Sequence, residues 1–370
     1  MFLKAVFPGK YIQGENVLNQ LPHWVKWFGK KGLILASRSA TDKILVPYAK
    51  DLAAHSNSVE PFQGECCEKE LNRLARVISR KRVDILVGMG GGKAIDTSKI
   101  AADRAGIPVI IVPTIASTDA PCSGCAVVYS EEGTFDSVHY QKMNPQVVLV
   151  DTTVIANAPA RFLIAGMGDA LATWFEARSC DRTQSVNECG GHSTMTGLHL
   201  ARLCYYTLLS SGAAAKVAVE KQIVTPALNH IIEANILLSG LGFESGGLAA
   251  AHSIHNGLTA LKETHSFYHG EKVAFGVLTG LQLTDASPQE SAAVYSFCEE
   301  IGLPTTFADI GLIKADRNKL LKAAKKACAP TECIHHEAGK ITPEKVLQAM
   351  LAANAMGEAR KGNSRAKSRE

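Results

Sequence analysis

The stretch VDILVGMGGGKAIDTSKIAADRA occupies residues 83–105 and combines an apolar strand, a glycine turn and a helix. Residues 83–89 are almost continuously apolar, which is typical of a strand inside a parallel sheet covered on both faces. Gly90, Gly91 and Gly92 follow at once. Such a turn allows a phosphate to approach closely, and the helix N-terminus offers unpaired N–H groups and a positive dipole. The stretch therefore predicts a nucleotide-binding α/β domain, with a tight turn that binds nothing as the alternative.

The rest of the N-terminal part shows the same alternation of strands and helices, which is typical of a parallel sheet. We predict further strands at residues 32–37, 107–112 and 147–151, helices at 41–56, 69–82 and 93–105, and an inserted hairpin at 129–136. Beyond about residue 158, strand-like runs nearly vanish and Ala/Leu-rich helical stretches take over. The predicted domains are an α/β domain at 1–158, an all-α domain at 159–358 and a flexible, solvated basic tail at 359–370.

Composition excludes several classes of protein. Of the 370 residues, 46% are hydrophobic and 20% are charged, as in ordinary globular proteins. The net charge of +4 comes from 39 basic and 35 acidic residues, which is too weak a bias to indicate nucleic acid or an anionic membrane as partner. No apolar run approaches the roughly 18 residues of a membrane span, and the N-terminus lacks a secretory apolar core. We expect a cytoplasmic protein with reduced cysteines that acts on a small molecule.

A second polar loop, PTIASTDAPCS, covers residues 113–123 and follows the next predicted strand. Its polar side chains include those of Thr114, Ser117, Thr118, Asp119 and Ser123. Open parallel sheets bind ligands beyond the carboxyl ends of their strands, so two such loops at adjacent strand ends predict a dinucleotide crevice. Cys122 and Cys125 form a CxxC pair, but the pair does not open a helix, which disfavours a redox role.

Histidines are concentrated in one part of the helical half. Of the 12 histidines, four lie within residues 252–269, namely His252, His255, His265 and His269. His252 and His255 share one side of a predicted helix. Upstream, Asp169 lies in an apolar helix start, which is costly for a carboxylate unless it caps, pairs or binds a cation. One carboxylate with two imidazoles is a known open catalytic metal set, although core histidines and a helix-capping Asp are equal alternatives from spacing alone.

Five stretches together resemble the glycerol dehydrogenase group of the metal-dependent, iron-containing alcohol dehydrogenase superfamily. They are GMGGGKAIDTSK, PTIASTDAPCS, GMGDALATWFEAR, VTPALNHIIEANILLSGLGFESGGLAAAH and HGEKVAFG, in this order along the chain. The resemblance implies a dehydroquinate synthase-like fold, with an α/β dinucleotide-binding domain, an all-helical domain and a zinc ion in the cleft between them. It also implies a homo-oligomer, commonly an octamer.

The resemblance implies roles for particular residues. The zinc ligands would be Asp169, His252 and His269. The residues expected at the nicotinamide cofactor are Ser37, Gly90, Gly91, Gly92, Lys93, Thr114, Ser117, Ser123, Cys125 and Tyr129. Asp119 would accept hydrogen bonds from the substrate hydroxyls. His255 is the candidate for relaying the proton to solvent, with a role in packing or in supporting a metal ligand as the alternative.

Two positions depart from the pattern of the superfamily. Iron-using relatives carry a His four residues after the metal-binding Asp, and here that position is Thr173. Three protein ligands with open positions favour zinc. Relatives that use NAD tend to end the first long strand with an Asp that binds the ribose, whereas this chain has Ser37 followed by Arg38. We expect NAD as the cofactor, with a weakened preference and some use of NADP.

The expected activity is zinc-dependent oxidation of glycerol, or of a related vicinal diol, to dihydroxyacetone or the matching ketone. A glycerol-1-phosphate dehydrogenase or a 3-dehydroquinate synthase is an alternative, but the segments around Asp119 and Asp169 supply acid rather than the arginines that a phosphate or carboxylate needs. A non-catalytic zinc- or nucleotide-binding protein is a further alternative. It is disfavoured because structural zinc is normally closed by four ligands.

Overall fold

The computed structural model describes residues 2–48, 57–314 and 316–367, with side chains as far as residue 362. The chain forms two compact units. The α/β unit contains Val6–Leu163 and Val217–Gly240, and the helical unit contains Ile164–Lys216 and the chain from Leu241 onward, together with the first residues up to Ala5. The division therefore differs from the predicted boundary at residue 158, because a segment from the helical half belongs to the α/β unit.

A six-stranded parallel sheet forms the centre of the α/β unit. Its strands are β1 (Tyr11–Gly14), β2 (Gly32–Ala36), β3 (Ser58–Pro61), β4 (Ile85–Gly90), β5 (Val109–Pro113) and β8 (Val147–Asp151). They lie in the order β1-β8-β5-β4-β2-β3. Every residue of the four inner strands is buried, which explains their nearly continuous apolar sequence. The predicted α/β class is confirmed, and the predicted inner strands begin and end within two residues of the observed ones.

Several local predictions for this unit differ from the structure. The edge strands β1 and β3 were not predicted, because YIQG and SVEP are short and carry polar residues. The predicted helix at 41–56 is replaced by a π-helical turn at Ala40–Ile44 and a 3-10 turn at Val46–Tyr48, and residues 49–56 lie outside the described part of the chain. The predicted hairpin has its turn as expected, but its strands β6 (Cys125–Tyr129) and β7 (Phe135–Tyr140) reach further on both sides.

Helices cover the sheet and make up most of the remaining secondary structure. In the described residues, the helices before β8 are α1 (Leu21–Phe28), α2 (Glu68–Lys81) and α3 (Gly92–Ala105). Those after it are α4 (Thr152–Ala156), α5 (Ala160–Thr183), α6 (Met195–Glu220), α7 (Pro226–Glu233), α8 (Ser239–Gly246), α9 (Ala250–Leu258), α10 (His269–Leu283), α11 (Pro288–Ile301), α12 (Arg317–Ala327) and α13 (Pro343–Lys367). None of the described helices is both long and apolar enough to cross a membrane.

The last helix changes the expectation for the basic tail. Because α13 continues to Lys367, residues 359–367 of the tail that we predicted to be flexible are helical. Arg360 pairs with Glu299 at 2.7 Å, and Lys361 pairs with Asp309, so the start of this segment is attached to the helical unit.

Helices α5 and α10 cross at two glycines inside the helical unit. A Cβ atom on Gly270 would overlap the carbonyl oxygen of Ala165 and lie 2.9 Å from the amide nitrogen of Asp169. A Cβ atom on Gly168 would likewise overlap the carbonyl oxygen of Gly270. The two backbones are therefore in direct contact, and only glycine fits at either position.

This crossing yields a stability prediction. We expect Gly270→Ala to lower the free energy of unfolding by about 1–3 kcal/mol, because the added methyl group has no space. Gly280→Ala is the matched control in the same helix, where a Cβ atom would lie 3.7 Å from Ala250. The control should raise stability by about 0.5–1 kcal/mol, since alanine is the better helix former. Urea unfolding measures both changes, and equal effects of the two substitutions would contradict the close crossing.

Candidate metal and cofactor sites

Three side chains from three helices of the helical unit converge on one point. Asp169 lies in α5, His252 lies in α9 and His269 is the first residue of α10. One ligand atom from each lies within 4.8 Å of the others. The Oδ1 atom of Asp169 is 3.0 Å from Nε2 of His269 and 3.5 Å from Nε2 of His252. The structure thus brings together all three predicted metal ligands, while the nearby His265 is turned away and contacts the carbonyl of Thr259.

The electrostatics of this cluster suit a bound cation. The side chain of Asp169 is 1% exposed, whereas those of His252 and His269 are 15% and 36% exposed. Burial disfavours the charged form of Asp169, but the charge of His269 and the hydrogen bonds from both imidazoles outweigh it and hold its pKa below the usual range. Carboxylate oxygen and imidazole nitrogen are donors that bind divalent metals such as zinc and iron. The residues present therefore fit a divalent metal ion.

A second carboxylate orients His252. Glu176, from the same helix as Asp169, is fully buried, and its Oε2 lies 2.6 Å from Nδ1 of His252. Its Oε1 accepts the backbone N–H groups of Ala249 and His252, both at 2.9 Å. Burial lowers the pKa of His252, but the charges of Glu176 and Asp169 outweigh this and raise it well above its usual value. Glu176 therefore holds Nδ1, so that Nε2 faces Asp169.

A chain of hydrogen bonds supports His269 in the same way. Its Nδ1 lies 3.1 Å from Nε2 of His255, and Nδ1 of His255 lies 3.0 Å from Oδ1 of Asn256. The amide of Asn256 donates to Glu332 at 3.0 Å. Burial and the neighbouring His269 hold the pKa of His255 well below its usual value, which keeps this imidazole neutral. Through this contact His255 holds Nδ1 of His269. The proton relay through His255 stays a prediction.

The two predicted cofactor loops are neighbours within the α/β unit. The N–H of Thr114 donates to the carbonyl of Gly90 at 3.0 Å, which joins the ends of β4 and β5. A Cβ atom on Gly90 would lie 3.1 Å from that of Ser37, so the end of β2 also meets the glycine turn. Gly92 is the first residue of α3 and faces more open space, with Thr118 the nearest side chain at 3.8 Å from a built Cβ.

Lys93 and Tyr129, both expected at the cofactor, lie side by side. The ammonium of Lys93 is 5.3 Å from the centre of the Tyr129 ring. It also forms a 2.6 Å ion pair with Glu65. The sequence did not indicate Glu65, because it lies in an irregular segment far from both motifs.

Lys99 is a further residue beside the second loop to which the sequence did not point. It is fully buried in α3, and its ammonium donates to the carbonyl of Ala120 at 2.8 Å, to the carbonyl of Cys125 and to the hydroxyl of Ser123 at 3.2 Å. The Ser123 hydroxyl also donates to the carbonyl of Ala120 at 3.2 Å, inside its own loop. A lysine on the buried face of a helix was the available signal, since a buried charge needs partners.

Comparison with known proteins identifies the family. The model of the family "Iron-containing alcohol dehydrogenase" matches residues 8–152. A glycerol dehydrogenase of Thermotoga maritima is 49% identical over 98% of this chain and 99% of its own. A glycolaldehyde reductase of Halobacterium salinarum is 45% identical over 95% of this chain and 96% of its own. The crystal structure of a probable glycerol dehydrogenase from Sinorhizobium meliloti superposes with a TM-score of 0.91 at 43% identity, covering 97% of this chain and 99% of that one.

The fold and these matches define an enzyme, and specifically an oxidoreductase, rather than a non-catalytic binding protein. The chain belongs to the iron-containing alcohol dehydrogenase family.

The contact between Glu176 and His252 yields a prediction on metal affinity. We expect Glu176→Gln to weaken metal binding by about 10–100-fold, because one of the two acceptor oxygens becomes an amide donor facing an N–H group. Glu299→Gln, which affects a partly exposed ion pair with Arg360, is the control and should retain the metal. Metal content after dialysis against graded chelator measures the affinity. Equal retention by wild type and Glu176→Gln would contradict the orienting role.

Proposed function

We propose that the chain catalyses the zinc-dependent interconversion of glycerol, or a related vicinal diol, and dihydroxyacetone or the matching ketone, with NAD as the hydride acceptor. The observation that carries this proposal is the convergence of Asp169, His252 and His269 on one point. The near full-length identity to glycerol dehydrogenases supports the substrate class.

Asp169, His252 and His269 would hold the zinc ion. When bound by these residues, a divalent metal would act as a Lewis acid that lowers the pKa of an alcohol oxygen. The donor set alone suits ferrous iron as well, since two imidazoles and a carboxylate also bind non-haem iron. Zinc is favoured because Thr173, one helical turn after Asp169, is buried and supplies no fourth imidazole.

The α/β unit would bind the cofactor and orient the substrate. The glycine turn at Gly90–Gly92 lies beside Ser37 and Thr114, and these groups would hold the dinucleotide. Asp119 is part-exposed in the second loop, where its carboxylate would accept hydrogen bonds from the substrate hydroxyls. A polyol with several hydroxyls and little apolar surface suits such an acceptor.

A substrate with a phosphate group fits less well. The described loop around Asp119 and the cluster around Asp169 present carboxylates, which repel an anion. The cytoplasmic location and a homo-oligomeric assembly, for which the resemblance implies an octamer, stay predictions from the sequence and its resemblance.

Turnover and metal dependence test the proposal together. We expect glycerol-dependent reduction of NAD at alkaline pH, read at 340 nm, that is lost after chelation and restored by zinc. 1,2-Propanediol, glycolaldehyde in the reverse direction and glycerol phosphate complete the substrate panel, and glycerol phosphate should be the poorest. Asp169→Asn should abolish both metal binding and turnover. Restoration by ferrous iron alone would refute zinc, and a preference for glycerol phosphate would refute the polyol assignment.

Cofactor choice gives a separate prediction. The Arg38 side chain is 95% exposed and lies 3.6 Å from Asp42, so it is accessible to a 2′-phosphate. We expect the preference for NAD over NADP in kcat/KM to be well below about a thousandfold, or 4 kcal/mol. Ser37→Asp should increase it at least about tenfold, because a carboxylate binds the ribose hydroxyls and repels the phosphate.

Arg38→Gln is the companion variant and should lower kcat/KM for NADP while leaving that for NAD unchanged. A wild-type preference above a thousandfold would show that Ser37 and Arg38 do not relax cofactor choice.

A further inference from the structure

A wide helical turn lies against the loop that carries Asp119. Helix α7 continues into a π-helical turn at Ala234–Leu238 and then into α8, and the N–H of Ser239 donates to the carbonyl of Ala234 to close this turn. Single π turns are rare and occur often at functional sites. Residues up to Gly240 belong to the α/β unit, as does the 113–123 loop.

Asn235 attaches this turn to the loop backbone. Its side chain is fully buried, and its amide nitrogen donates to the carbonyl of Ala116 at 3.0 Å and to the carbonyl of Leu163 at 3.1 Å. Two carbonyl acceptors identify this end of the side chain as the nitrogen. The backbone three residues before Asp119 is therefore fixed by the turn.

Ser239 contacts the carboxylate of Asp119 itself. It is fully buried, and its hydroxyl donates to Oδ2 of Asp119 at 2.8 Å. The following residue, Gly240, lies so close to the loop that a Cβ atom there would be 3.0 Å from both the carbonyl oxygen of Asp119 and the Cβ of Cys122. The backbone next to Ser239 therefore lies in close contact with the loop, which places the hydroxyl beside the carboxylate.

We propose that Ser239 is a positioning residue that fixes the orientation of the Asp119 carboxylate for binding the substrate hydroxyls. The terminal torsion of an aspartate is broad, so a single directed hydrogen bond removes much of its freedom. Accurate placement of a binding group lowers the cost of orienting the substrate. This proposal rests on the proposed function, since it assigns Ser239 a role through Asp119.

The effect of Ser239 depends on how many hydroxyls the substrate carries. Glycerol has hydroxyls besides the one that is oxidised, and Asp119 would accept hydrogen bonds from them. A monohydric secondary alcohol such as 2-propanol lacks these groups. Loss of the Ser239 hydroxyl should therefore affect glycerol and spare 2-propanol.

The test compares Ser239→Ala and Ser239→Thr with wild type. We expect Ser239→Ala to raise KM for glycerol about tenfold, with kcat within about twofold and KM for NAD unchanged. Ser239→Thr keeps the hydroxyl and should restore most of the affinity. Thr279→Val is the matched control, because it removes a buried hydroxyl whose bond to Phe275 stays within its own helix, and it should leave KM unchanged.

A double-mutant cycle with Asp119→Asn shows whether Ser239 acts through Asp119. In the Asp119→Asn background, Ser239→Ala should change KM for glycerol by less than about twofold. An unchanged KM in Ser239→Ala would overturn the proposal, as would an equal rise for 2-propanol or a full effect in the Asp119→Asn background. If Ser239→Ala fails to fold, Ser239→Cys, with a weaker donor of similar size, takes its place in every comparison.

The failure of this proposal and that of the proposed function are distinguishable. Wild-type enzyme that oxidises glycerol while Ser239→Ala has the wild-type KM refutes the positioning role alone. Wild-type enzyme that oxidises no diol refutes both.

Discussion

The ionised carboxylate of Asp169, buried in the interior of a helical unit, is the constraint on which the site depends. A charge in that position is unstable unless opposite charges or a cation lie close to it. His252 and His269 provide that environment through their Nε2 atoms, at 3.5 and 3.0 Å. Their Nδ1 atoms are held by Glu176 and His255, so both imidazoles have one nitrogen fixed and the other directed at Asp169. The burial that makes the carboxylate costly also preorganises it for a divalent metal.

Close packing of backbones makes this arrangement possible. Gly168 and Gly270 lie at the crossing of α5 and α10, and each directly precedes or follows a member of the cluster in sequence. Two helices that touch through glycines bring side chains from adjacent positions within ligand distance. In the α/β unit, Gly240 has a comparable role, because it lets the turn at Ala234–Leu238 lie against the loop of Asp119. These glycines therefore allow the close backbone contacts that place the polar side chains of each site.

The sequence was sufficient for the elements with strong patterns and insufficient for those defined by tertiary contact. Apolar runs and periodicity predict the inner strands and helices α2 and α3. The set of candidate metal ligands was predicted from an acid in an apolar helix start, a concentration of histidines and a family resemblance. Each of the edge strands β1 and β3 pairs with one neighbour among the described strands and has no such run. Glu176, Lys99, Asn235 and Ser239 escaped prediction because polar residues within helices acquire a role only from what packs against them. The assignment of Val217–Gly240 to the α/β unit likewise depends on contacts between residues far apart in the sequence.

X-ray absorption at the zinc edge of the zinc-loaded protein tests the metal site most directly. The structure predicts a first shell of nitrogen and oxygen at about 2.0–2.2 Å with the scattering pattern of two imidazoles. The chain contains ten cysteines, so sulfur is a real competitor as a ligand. Sulfur scattering at about 2.3 Å, or a spectrum unchanged by His252→Ala, would contradict the assignment of Asp169, His252 and His269 as the ligands.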